Sequence, residues 1–163
     1  MRYKVVPGPV DEDLLHAVSE AVPLVPGSVE DCCTRIRDRT GVPSREEARE
    51  WLTFCQALGL VDETDRGYYR VRDPPDDEAL AAAFEDGVFG ARELLDALDA
   101  ADEPLDAATA FAAVRDRVPR WERDRDPDWE AEWHGRVRRL LEWGVAFGHL
   151  ERADDGYQRR VTA

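Results

Sequence analysis

The sequence contains very little lysine and no long apolar segment. Lys4 is the single lysine, and the other 21 of its 22 basic residues are arginines. No run of about 18 apolar residues is present, so we expect no membrane-spanning helix. The opening segment 1–7 lacks the apolar stretch of a signal peptide, which predicts a cytoplasmic protein. Glycine-rich phosphate loops and a GxSxG nucleophile motif are also absent, which argues against the enzyme classes that depend on them.

Cysteine and histidine are too few and too scattered to indicate a metal centre. Cys32, Cys33 and Cys55 lack CxxC spacing, which argues against both a zinc site and a disulfide framework. The histidines His16 and His134 and the third at position 149 lie far apart in the sequence. No histidine or lysine clusters beside the many acidic pairs to mark a general acid and base. We therefore expect buried thiols, no metal, no cofactor and no enzymatic activity.

The chain carries a large excess of acidic residues, and this excess bears on whether the protein can bind nucleic acid. The formal net charge is −14, and aspartate outnumbers glutamate by 20 to 16. A composition poor in lysine and rich in aspartate resembles that of proteins from salt-accumulating haloarchaea. A charge of −14 normally disfavours nucleic-acid binding. In the salty cytoplasm that the resemblance implies, however, the Debye length is about 3 Å or less, so the local charge pattern has to decide.

The chain contains an internal repeat. Three pairs of segments match in the same order: 13–18 with 93–98, 36–39 with 114–117, and 58–68 with 147–157. The separation between matched residues is 80, then 78, then 89. The rise to 89 indicates an insertion of 11 residues in the second copy. Repeats of this kind point to two similar structural units.

Each copy is predicted to form three helices and a hairpin. In copy one, hydrophobic periodicity and capping signals predict helices at about 11–22, from Ser28 to Gly41, and from Ser44 onward. Glu47 completes a capping box with Ser44. The third helix has a face expected to be buried, made of Ala48, Trp51, Leu52, Cys55 and Leu58. A strand from Leu60, an acidic turn and a strand over 68–72 follow.

Copy two has the same pattern with a longer third helix. Helices are predicted near 89–100, 106–118 and 127–147, followed by a hairpin over 150–161. Asp126 is expected to cap the last helix, with Pro127 at its first position. The segment 73–77 breaks the chain between the copies, and 78–85 is predicted to form a short connecting helix.

Helix, helix, turn, helix and hairpin in this order resemble the winged-helix fold. The turn 41–44, the segment 52–71 and its counterpart 147–161 are the clearest matches. We expect a mainly α structure with small β-hairpins, in which an internal repeat forms two tandem winged-helix domains. The predicted division is 1–73 for copy one, 74–88 for a linker with a short helix, and 89–163 for copy two, which has its insertion near 119–129.

The resemblance implies a DNA-binding protein, a transcriptional regulator acting on double-stranded DNA. In helix-turn-helix proteins the recognition helix enters the major groove, and basic side chains contact the phosphates. The third helix of copy two is less acidic than that of copy one, so we expect copy two to contribute more. The candidate DNA-binding residues are Arg115, Arg117, Arg120, Arg136, Arg138, Arg139, Arg159 and Arg160 in copy two, with Arg45 and Arg49 in copy one. A solvated surface of mixed charge is the alternative.

A protein-interaction module is the alternative function. Tandem winged helices with an acidic surface are similar to small subunits of chromosome-condensing complexes such as segregation and condensation protein B, which hold a partner chain. The acidic third helix of copy one fits this interpretation. So do aromatic residues that lie off the main apolar face, Phe54, Trp129, Trp133 and Trp143. We favour packing of these aromatic side chains within the chain, and a partner-binding surface is the other possibility.

Overall fold

The computed structural model describes residues 2–160, and the chain divides into two compact units, 1–89 and 90–163. Unit 1 contains α1 (Glu12–Ala21), α2 (Val29–Thr40), α3 (Arg45–Ala57), β1 (Val61–Thr64), β2 (Gly67–Arg70) and α4 (Asp77–Gly87). Unit 2 contains α5 (Ala91–Ala100), α6 (Ala107–Val114), α7 (Arg120–Arg125), α8 (Trp129–Ala146), β3 (Leu150–Ala153) and β4 (Gly156–Arg159). The predicted end of the last strand at residue 161 lies outside the described residues.

Capping residues set the helix boundaries of unit 1. The Ser28 hydroxyl accepts a hydrogen bond from the backbone N–H of Asp31 at 3.0 Å, and the Ser44 hydroxyl accepts one from Glu47 N–H at 3.1 Å. Gly41 ends α2 with φ of +79°, a left-handed conformation that favours glycine. These contacts confirm the predicted starts of α2 and α3 and the predicted end of α2.

The buried face of α3 is the one that the sequence predicted. Its five predicted residues are all buried: Ala48, Trp51, Leu52, Cys55 and Leu58. Trp51 contacts Phe54 edge to face, with ring centroids 6.4 Å apart. All three cysteines are buried and free, and burial raises the pKa of each thiol. The thiols therefore fill space in the core of unit 1.

The helix α4 belongs to unit 1 and packs against α3. It runs from Asp77 to Gly87, slightly longer than the predicted 78–85. At Gly87 a Cβ atom would lie 2.8 Å from the backbone oxygen of Ala57, so the two helices approach closely there. The N-terminal segment also joins this end of the helix, because Tyr3 N–H donates to Gly87 O at 2.6 Å.

Each unit contains a two-stranded antiparallel hairpin, the wing, and the two wings have the same register. Val61 pairs with Arg70 in the first wing and Leu150 pairs with Arg159 in the second, positions that differ by 89 residues. Each wing also forms an isolated bridge to the segment just before the second helix of its unit: Gly27 with Tyr68, and Leu105 with Tyr157. The two units are therefore a mainly helical tandem repeat, as the sequence predicted.

The insertion in unit 2 changes the start of α8. The predicted start, with Asp126 as cap and Pro127 as the first helical residue, is wrong by two residues, since α8 begins at Trp129. The Asp126 side chain accepts from Asp128 N–H at 2.9 Å, which forms a turn in place of a helix cap. The second helix of the unit also ends early, at Val114, and a 3₁₀ turn continues it over 115–117.

No helix within residues 2–160 is both long enough and apolar enough to span a bilayer.

Candidate nucleic-acid interface

The outward face of α8 is defined here as positions 134, 135, 138, 139 and 142. The repeat separation of 89 aligns the first residue of α3, Arg45, with His134, so α8 has five additional residues at its N-terminal end. Arg138 is exposed on this face, and Arg139 is half-buried. A single acidic residue, Glu142, lies on it.

Two wing residues bind the carboxylate of Glu142. The guanidinium of Arg152 on β3 forms an ion pair with one carboxylate oxygen, and the hydroxyl of Tyr157 on β4 donates to the other. The hydrogen bond to Glu142 raises the pKa of Arg152, and burial together with this hydrogen bond raises the pKa of Tyr157. The one negative charge of the outward face is thus matched by a positive charge from the wing.

The corresponding surface of unit 1 carries more acidic side chains. Arg45 at the start of α3 pairs with Glu30 of α2, and its Nε lies 2.8 Å from a carboxylate oxygen. This hydrogen bond lowers the pKa of Glu30 and raises that of Arg45. The other exposed charges of α3 are Arg49 and three carboxylates, Glu46, Glu47 and Glu50. Glu47 matches Arg136 and lies off the outward face, so the matching positions of α3 carry two arginines and two glutamates and are balanced in charge.

Arg115 and Arg123 connect the insertion to the start of α8. The guanidinium carbons of Arg115 and Arg123 lie 5.2 and 5.0 Å from the ring centroid of Trp129, within cation–π range. Arg115 also pairs with Glu130. Arg123 donates to the backbone oxygens of Arg115 at 2.7 Å and Val118 at 3.2 Å. These contacts fasten the insertion to the first turn of α8.

Arg136 does not lie on the surface, which corrects its place among the candidate DNA contacts. Its side chain is 7% exposed, and its guanidinium carbon lies 5.3 Å from the ring centroid of Trp133. Burial, with the charge of Arg139, lowers its pKa to about 10, so the residue stays protonated at neutral pH. The matched residue in unit 1, Glu47, is exposed. The reason for the difference is that unit 2 has the insertion, whose buried Glu122 faces Trp133 and Arg136.

The remaining candidate arginines differ in whether they form an ion pair with an acidic side chain. Arg159 forms an ion pair with Asp99, with Nε 3.0 Å from the carboxylate. Arg120 pairs with Asp124 at 3.7 Å, both largely exposed. Arg117 donates weakly to a backbone oxygen at 3.4 Å and is exposed. Arg160, at the end of the second wing, is exposed.

The candidate partner-binding aromatics do not form a surface patch. Phe54 and Trp143 are 0% exposed and Trp133 is 5% exposed, which corrects their assignment to a partner-binding face. Trp129 is half-buried beneath its two arginines. Within residues 2–160, the exposed aromatic side chain is that of Trp121 on α7, at 56%. The polar hexamer around it, RWERDR over 120–125, is the sequence signal for that exposure.

Two units, each with three helices and a wing in the same order and one additional helix, α4 or α7, define a tandem winged-helix protein. The chain belongs to the halobacterial double winged helix domain family, whose model matches residues 1–163. This match confirms the predicted fold and its haloarchaeal character. No curated protein and no solved structure matches the chain. The winged helix is a fold typical of DNA-binding proteins and not of enzymes.

Proposed function

We propose that this protein binds double-stranded DNA as a transcriptional regulator, with unit 2 making most of the contacts. The observation that supports this best is the binding of Glu142 by Arg152 and Tyr157. It neutralises the one acid on the outward face of α8 and leaves Arg138 exposed there. The same contacts attach the wing to α8, so that the two DNA-facing elements of a winged helix are held together.

The insertion supports the same assignment by stiffening the start of α8. The first residues of a recognition helix are the ones that approach base edges in helix-turn-helix proteins. Here that end is held by the cation–π contacts of Trp129 and by the hydrogen bond from Trp133 to Glu122 at 3.4 Å. A rigid helix loses less conformational freedom on binding than a mobile one, which favours affinity.

We expect the protein to contact DNA mainly through the phosphate groups. Arg138 on α8 and Arg160, which follows β4, are exposed, and exposed arginines can contact phosphates. An arginine on the outward face can also donate two hydrogen bonds to a guanine edge. Unit 1 presents Glu46 and Glu50 at the same place, and these carboxylates repel phosphates.

Binding should be tested by fluorescence anisotropy with labelled duplex DNA in molar potassium chloride, the condition that the composition indicates. We expect saturable binding whose logarithmic affinity falls linearly with the logarithm of salt concentration. A regulator should also prefer some genomic fragments over a scrambled duplex of the same length. Arg138→Glu should abolish binding, and Arg49→Glu is the matched control in unit 1. Absence of wild-type binding throughout the molar range would refute the proposal.

A protein-binding role is the second candidate, and the exposed indole of Trp121 favours it. Exposed tryptophans are enriched where proteins meet, because they bury a large apolar surface on binding. Under this alternative the protein isolated from its host should have a co-purifying partner, and Trp121→Ala should release it. DNA affinity would then be absent or unchanged by Arg138→Glu.

A further inference from the structure

Unit 1 contains a cavity that the DNA-binding proposal does not use. It has a volume of about 360 Å³ and lies between the end of α1 and the end of β2. Its polar lining consists of His16, Ser19 and Glu20 from α1 and of Arg70 and Arg72 from the second strand and the residues after it. Apolar side chains complete the wall. Two arginines against one glutamate give the lining a positive balance.

The guanidinium of Arg70 lacks a hydrogen-bond acceptor at one nitrogen. Its Nε is buried and has no hydrogen-bond partner within the described residues. Glu20 lines the same cavity but is exposed, and Arg70 and Glu20 form no ion pair in the described part of the chain. A buried donor without an acceptor is unfavourable, so the site favours a ligand that supplies one.

In unit 2 the corresponding arginine forms an ion pair with a carboxylate of the chain. Arg159 is the counterpart of Arg70, since both face the first residue of their wing in the strand register. The Nε of Arg159 lies 3.0 Å from the carboxylate of Asp99 at the end of α5. The repeat separation of 80 residues aligns Asp99 with Ser19. Ser19 is buried and uses its hydroxyl to donate to the backbone oxygen of His16, so it supplies no carboxylate.

We propose that the cavity of unit 1 binds a small organic carboxylate, which takes the place beside Arg70 that Asp99 takes beside Arg159. The carboxylate would accept from the guanidinium after a small rotation of the Arg70 side chain, and charge assistance makes such bonds strong. The apolar wall, which includes Leu60 and Val71, selects for a ligand with a short hydrocarbon body over a bare inorganic anion. This site is independent of the proposed DNA contacts, which lie in unit 2.

Nuclear magnetic resonance of the arginine Nε–Hε groups tests the site directly, with the whole ¹⁵N-labelled chain in potassium chloride and no DNA. The Arg70 resonance is identified by its loss in Arg70→Lys. The probes are hexanoate, its uncharged analogue hexanamide, and inorganic phosphate. We expect hexanoate to shift the Arg70 resonance saturably, and hexanamide and phosphate to act much more weakly. No saturable shift with hexanoate, or an equal shift with hexanamide or phosphate, would overturn the proposal.

Variants at position 19 give a second and more specific readout. Ser19→Asp supplies the carboxylate from the chain and should weaken hexanoate binding at least about tenfold through repulsion between like charges. Ser19→Asn has nearly the same shape without the charge and should bind hexanoate as the wild type does. Unchanged binding in a folded Ser19→Asp protein would contradict the assignment. The wild-type titration decides the question by itself should that variant not fold.

Discussion

The indole nitrogen of Trp133 lies 3.4 Å from a carboxylate oxygen of Glu122, and both side chains are buried. Trp133 is in the first turns of α8, and Glu122 is in the short helix α7 of the insertion. The pair therefore connects the segment that distinguishes unit 2 from unit 1 to the helix proposed to contact DNA. The buried guanidinium of Arg136 faces the same carboxylate, and the charge of Glu122 favours its protonated form.

Removing Glu122 should destabilise unit 2. Glu122→Ala leaves the Trp133 N–H without this acceptor and takes a negative charge away from Arg136. We expect a loss of about 1–3 kcal/mol in the free energy of unfolding, the cost of unsatisfied buried polar groups. Urea denaturation followed by circular dichroism measures it. Glu103→Ala, at an exposed position, is the control and should change stability by no more than about 0.5 kcal/mol. Equal effects of the two substitutions would show that the buried contact is not stabilising.

Tryptophans in different settings should respond differently to truncation. Trp51 is buried and packs edge to face on Phe54, so Trp51→Ala should cost about 3–5 kcal/mol. Trp121 is mostly exposed, and Trp121→Ala should cost far less. Chemical denaturation of the two variants under the same salt gives the comparison. A loss below about 1 kcal/mol for Trp51→Ala would mean that α3 does not pack through this face.

Gly59, just before the first wing, and Gly67 within it should differ in their tolerance of alanine. At Gly59, φ is +81° and no atom lies within 4 Å of an added Cβ, so Gly59→Ala should cost about 1–2 kcal/mol of backbone strain. At Gly67 the added Cβ would lie 2.1 Å from the oxygen of Gly27, which itself accepts from Tyr68 N–H at 2.8 Å. Gly67→Ala must displace this bridge and should cost more. Thermal unfolding would contradict the structure if Gly59→Ala were the more damaging change.

The parts of the fold that follow from local signals could be predicted from the sequence. Ser28, Ser44 and Gly41 act within one helical turn, and their capping roles depend on neighbouring backbone atoms alone. The repeat separation of 89 residues likewise fixes both wings, because corresponding strands have the same register.

The incorrect predictions concern residues whose burial depends on segments that are distant in the sequence. In the sequence RVRR, Arg136 is not distinguished from the neighbouring surface arginines. It is buried because the insertion packs on α8 beside it. Phe54 and Trp143 lie one position from the predicted apolar face of their helices, yet both are fully buried. A buried face wider than one narrow stripe cannot be recognised from helical periodicity alone.

The third helices of the two units, α3 and α8, should contribute unequally to the proposed DNA binding. Arg138→Ala combined with Arg139→Ala should weaken binding of duplex DNA and reduce the magnitude of the salt slope by about 1.8, since each phosphate contact contributes about 0.9. Arg45→Ala combined with Arg49→Ala removes the same formal charge from α3. It should change the slope much less, because Arg45 is already paired with Glu30 and because carboxylates surround Arg49.

Both double variants should be titrated with one duplex over the same range of potassium chloride. Circular dichroism should first show that each variant keeps the wild-type helix content, so that a lost contact is separated from a lost fold. Equal slope changes would assign the two units equal roles and contradict the dominance of unit 2. The α8 double variant could also bind DNA with the same affinity and salt slope as the wild type. The contacts would then have to come from another surface, and the outward face of α8 would no longer be a candidate.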